Sequence, residues 1–85
     1  MFIKSMVIEG VDGDVEIAHM DTGALVTSGD RVLCEVGRYE DREARFAKAC
    51  EVAKVVCGTD KKGRPLATNS MIHDVLNEIE RVAGC

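Results

Sequence analysis

The sequence predicts an α+β domain, in which a three- or four-stranded antiparallel sheet from the first half is covered on one face by two helices from the second. Three observations predict it. Apolar and polar residues alternate over the first twenty positions, turn residues interrupt the first half at short intervals, and from Asp41 onward the apolar period lengthens to that of a helix. The 85 residues make a single domain, 1–85, with a β-meander over 1–37 and the two helices within 38–85. A domain of this size hides only about 60 to 65% of its unfolded surface, so its core is thin and a second subunit, a metal or disulfides are the usual supports.

In order along the chain, Phe2, Met6 and Ile8 share one face of a first strand, with Ser5 and Glu9 on the other. Asp12-Gly13 has the composition of a type I′ turn, which pairs Ile8 with Ile17, Met6 with His19 and Glu9 with Glu16 in the hairpin that it closes. After the turn Asp21-Thr22-Gly23 comes the β-rich run Ala24 to Thr27. After Ser28-Gly29-Asp30 comes Arg31 to Val36, so that these runs form either two strands or one strand bulged at Gly29. Phe46, Ala49, Cys50, Ala53, Val56 and Cys57 then recur at helical spacing, with Gly58 suited to end the helix. The segment Gly58 to Ala67 reads as a polar loop. Thr68, Asn69 or Ser70 caps a second helix whose apolar stripe is Ile72, Val75, Leu76, Ile79 and Val82.

Charge narrows the function classes. The net charge of −4 divides unevenly, −5 over residues 1–37 and +1 over 38–85, and Phe2, Tyr39 and Phe46 are the chain's aromatics. An acidic half repels phosphate backbones and three aromatics supply little base stacking, so direct nucleic-acid binding is not expected. The carboxylates Glu9, Asp12, Asp14 and Glu16 of the first hairpin are instead the expected partner-binding residues, directed at a protein with a basic surface. Lys4, Ser5 and Glu9 break up the N-terminal apolar residues, and no run reaches membrane-spanning length; the expectation is a soluble cytoplasmic protein without a membrane partner.

In that reducing compartment Cys34, Cys50, Cys57 and Cys85 are thiols. Cys50 and Cys57 lie two helical turns apart, roughly 10 Å along the axis, beyond the reach of a mutual disulfide, and no CxxC is present. They read as packing residues. A zinc site with Cys34 and His19 has no spacing to recommend it, so neither metal nor cofactor is expected. His73, beside Asp74, reads as a surface histidine, and Lys61, Lys62 and Arg64 as the charges of a solvated loop. No catalytic set emerges. Val52 and Val55 fall off the Phe46 stripe and mark a possible homodimer interface. The alternatives to a binding module are accordingly an assembly subunit acting through that face and a thiol- or zinc-dependent regulator.

Two resemblances accompany this reading. Asp21-Thr22-Gly23-Ala24 resembles the active-site turn of retroviral-type aspartic proteases, which implies a catalytic aspartate at Asp21. However, thirteen residues between Gly23 and Gly37-Arg38 leave no room for the strands of that class, and no glycine-rich flap follows; the motif reads as a turn. The segment EDREARFAKACEVAKVV, through Glu43, Ala44, Arg45, Ala47, Ala49 and Ala53, resembles a helix of small bacteriophage accessory proteins. With the short, acidic, non-catalytic character of the chain, it implies a phage-encoded inhibitor of the anti-CRISPR type, which acts by occupying a partner's nucleic-acid groove or blocking its assembly.

Overall fold

The computed structural model describes residues 4–85. Strands β1 (Ser5–Gly10), β2 (Gly13–Met20), β3 (Gly23–Ser28) and β4 (Arg31–Gly37) form an antiparallel meander in the order β1-β2-β3-β4, followed by helices α1 (Arg42–Cys57) and α2 (Asn69–Ala83). The α+β expectation is met, with four strands. Phe2, assigned above to the core face, lies outside the described residues.

Each short connection has its own chemistry. The first hairpin turns on Val11-Asp12, and Gly10 pairs with Gly13, so the register brings Ile8 opposite Val15, Met6 opposite Ile17 and Glu9 opposite Asp14. The expected register is therefore displaced by two residues. Asp12 does not take the positive φ of a type I′ turn; instead Gly13, at φ 131°, opens β2. A two-residue slip preserves the face of every side chain, which is why the apolar set is unchanged. Gly29 is not a bulge: at φ 60° it is the first central residue of a two-residue turn whose second, Asp30, keeps negative φ, the geometry of type II′. The bulge lies at Leu33, since Val26 pairs with Cys34 while Thr27 pairs with Val32. That extra residue breaks the simple alternation of β4, turning Val32 outward at 58% exposure while Val36 stays buried.

The core is aliphatic and small. Val15, Ile17, Ala24, Val26 and Val36 of the sheet meet Ala49, Val52 and Ala53 of α1 and Val75, Leu76, Ile79, Val82 and Ala83 of α2. The stripe read for α2 is the observed one, with Ile72 at its margin. For α1 the inward direction is rotated by about 50°, at 100° per residue, away from the expected stripe and toward Val52. Ala49 and Ala53 are small residues of this inward side, and Val52 is the large side chain that α1 contributes to the core. Cys50 and Cys57 are thereby left half-buried at the margin, where Cys57 Sγ lies 3.7 Å from Met71 Sδ.

Both helices are capped by side chains, Asp41 accepting from the Ala44 amide at 2.8 Å and Thr68 from the Met71 amide at 3.3 Å. The connection between them is not a plain loop. Asp60 and Arg64 close a small hairpin through a backbone bond of 2.8 Å, Gly63 takes φ 80°, and Thr59 bridges Pro65. The Arg64 amide, the Lys62 amide and the Arg64 guanidinium all donate to the Asp60 carboxylate and hold its pKa below the usual aspartate range. No helix among the described residues is long and apolar enough to cross a membrane.

Candidate functional site

The helices cover one face of the sheet and leave the other open. The pairings place four rows of side chains on the open face: Glu9 with Asp14; Val7, Glu16, Thr27 and Val32; Ser5, Ala18, Leu25 and Glu35; and Met20 with Gly23 and Gly37. Its carboxylates are Glu9, Asp14, Glu16 and Glu35, all exposed, and no lysine or arginine occupies any of these positions. Glu9 stands directly opposite Asp14, an arrangement of like charges that costs a sheet roughly 0.2 to 1 kcal/mol. Nothing in the rows neutralises it.

Of the four carboxylates expected to act together, the structure groups Glu9, Asp14 and Glu16. Asp12, at the turn, borders a separate groove beside α1. Glu35 is the member that sequence reasoning did not include, because its membership depends on the pairing of β4, 19 residues beyond Glu16 in the chain. Val7, Leu25 and Val32 supply apolar surface between the charges, Val7 at 54% exposure. A surface of this kind attracts cations over several ångströms and gives them apolar ground to dry against.

The proposed dimer residues are corrected. Val52 is fully buried within this chain's own core, and Val55 is half-buried against it, because the rotated α1 points Val52 at the sheet. A reading that needs Val52 on the surface has no support in this fold.

The remaining candidates have structural duties. His19, on the helix-covered face of β2, donates through Nδ1 to the Val82 carbonyl at 2.7 Å, and Arg38 Nε donates to the Ala83 carbonyl at 3.3 Å. A residue of β2 and the residue just after β4 thus satisfy carbonyls at the C-terminal end of α2, where cationic and N–H groups are favoured. His73 packs its ring against Phe46, centroids 5.2 Å apart. Burial pushes the Cys34 thiol up from its usual pKa, with Lys48 opposing in part, which leaves little thiolate for nucleophilic work. Among the described residues no group of three or more His, Cys, Asp or Glu side chains is disposed to hold a metal ion. Asp21 of the DTGA turn is exposed, and its glycine serves the β3–β4 contact.

At the start of α1 the charges are paired. Lys48 donates to Glu40 at 2.7 Å and to the Glu35 carbonyl at 2.6 Å, Glu40 also accepts from the Gly37 amide, and Arg45 joins Glu80 of α2 at 2.9 Å. Lys48 first, and then the Gly37 amide, hold the Glu40 carboxyl below the usual glutamate range. A carboxylate depressed on folding stabilises the fold above its unfolded pKa of about 4.3, and loses that contribution as pH falls through the folded value. Glu40→Gln is therefore expected to destabilise by about 1 kcal/mol at pH 7 and by less at pH 2.5. Urea denaturation at the two pH values checks this; an equal loss at both would assign the effect to packing.

No protein-family model, curated protein or solved structure matches this chain.

Proposed function

We propose that the chain is a non-enzymatic protein-binding module of the phage-inhibitor, anti-CRISPR-like type, which lays its acidic sheet face on the basic, nucleic-acid-binding surface of a partner. The observation that carries this reading is the open face itself: Glu9, Asp14, Glu16 and Glu35 with no basic residue in their rows, interspersed with Val7, Leu25 and Val32. Carboxylates on a rigid sheet mimic a run of phosphates in sign, and the apolar residues between them provide area to bury once the partner's cations have docked. The like-charge pair Glu9–Asp14 is a cost to folding that such a partner would remove.

The experiment is a paired comparison. The wild-type chain, immobilised, is expected to retain from a lysate of its native host a nucleic-acid-binding protein that the protein's own nucleic acid displaces. Reversing Asp14 and Glu16 to lysine is expected to weaken that retention by about a hundredfold or more, since interfacial charge reversals are worth several kcal/mol. The thermal midpoint should stay within a few degrees, because both side chains are exposed. Retention unchanged by the double reversal would remove this face from the reading. Capture that nucleic acid does not displace would remove groove occupancy.

A further inference from the structure

The groove beside α1 lies where the first and third turns meet the last two turns of that helix, on the helix-covered side of the sheet. Its volume is about 580 Å³, within the range of small-ligand sites. Arg31 and Lys54 bring positive charge to its lining and Asp12 and Glu51 bring negative charge, with Val55 and Gly58 among the uncharged residues.

These four charges are not paired with one another. Elsewhere, ionic side chains near each other close into contacts: Arg81 reaches Glu78 at 3.2 Å across an i, i+3 spacing, and Arg64 reaches Asp60 at 3.1 Å across i, i+4. Glu51 and Lys54 have the first of these spacings without forming an ion pair, and Asp12 and Arg31 likewise form none. Among the described residues no hydrogen bond to their side chains is formed either. All four side chains are exposed, so each is open to a ligand that carries the complementary charge. Lys54 stands in the last turn of α1, where a cation is favoured.

We infer that this groove binds a ligand bearing a carboxylate together with an ammonium or guanidinium group a few ångströms away. Free amino acids and short peptide segments are the two sources of that chemistry. The carboxylate sits between Arg31 and Lys54, and the cation against Asp12 and Glu51. This site is independent of the acidic sheet face, with which it shares no residue.

The test is an amide-shift titration of the isotopically labelled full chain with four probes: L-arginine, the capped peptide acetyl-Arg-Gly-Glu-amide, sodium acetate and ethylammonium chloride. Saturable shifts centred on Asp12, Arg31, Glu51 and Lys54 are expected with one or both of the first two, at a Kd at least tenfold below that of either single-charge probe. Tighter binding of arginine identifies a free zwitterion as the source, and tighter binding of the peptide identifies a chain segment. Substituting Arg31→Ala and Lys54→Ala together is expected to raise the Kd at least tenfold without moving the thermal midpoint, since both side chains are exposed. Linear shifts of equal size with all four probes, or saturable shifts that survive the double substitution, would overturn the site.

Discussion

Val52→Asp is expected to unfold the chain at room temperature, whereas Val55→Asp, three residues away, is expected to leave a cooperative fold weakened by about 1 kcal/mol. Val52 has no solvent exposure and belongs to the aliphatic core shared by the sheet and both helices. A carboxylate there has no donor within the aliphatic core, so it must either ionise in a dry environment or take up a proton, at a cost of several kcal/mol in addition to the lost valine contacts. At roughly 0.05 to 0.15 kcal/mol per residue, a domain of this length has little more than that to lose. Val55 borders the groove and reaches water, so its carboxylate stays solvated. Far-ultraviolet circular dichroism and a urea titration of the two variants separate the cases. A folded Val52→Asp chain would return Val52 to the surface and restore the assembly reading of α1.

The same helix shows where sequence reasoning succeeded and where it stopped. For α2 the stripe was legible because Val75, Leu76, Ile79 and Val82 are large aliphatics and the opposite face is charged. In α1 the inward residues Ala49 and Ala53 are small, the cysteines are ambivalent, and Arg45 lies inward enough to be 14% exposed while paired with Glu80. A charged residue at the edge of a buried stripe blurs the period from which its direction is read. The acidic face was half legible, since Glu9, Asp14 and Glu16 alternate within one hairpin and a register slip of two keeps them together. Glu35 and the absence of bases around it follow from the bulge at Leu33 and the pairing of β4, which no local pattern states. The groove was not legible at all. Asp12, Arg31, Glu51 and Lys54 are ordinary surface charges in the sequence, and only the crossing of α1 over the hairpin tips collects them.

Gly23→Ala is expected to destabilise the protein by about 3 kcal/mol or more, although the substitution adds one methyl group to a residue that borders a surface turn. Two independent constraints meet at this glycine. Its φ of 152° lies where side-chain-bearing residues rarely go, and a Cβ built on it would run into the carbonyl of Val36 on the adjacent strand. Relief requires β3 and β4 to separate where Gly23 pairs with Gly37, next to the 2.8 Å bond from the Arg38 amide to the Thr22 carbonyl. Arg38 also supports the end of α2 through Ala83, so the strain reaches the helix. Gly13→Ala supplies the control. Gly13 has φ 131° in a similar position after the first turn, but its missing Cβ faces open space, so the backbone cost acts there without the clash. Chemical denaturation of the pair should show Gly23→Ala losing at least twice the free energy lost by Gly13→Ala. Equal losses would mean that torsion alone governs both sites and that Val36 can move aside. The larger loss at Gly23 would show that the DTGA turn owes its glycine to strand packing, with Asp21 left at the surface as a turn residue.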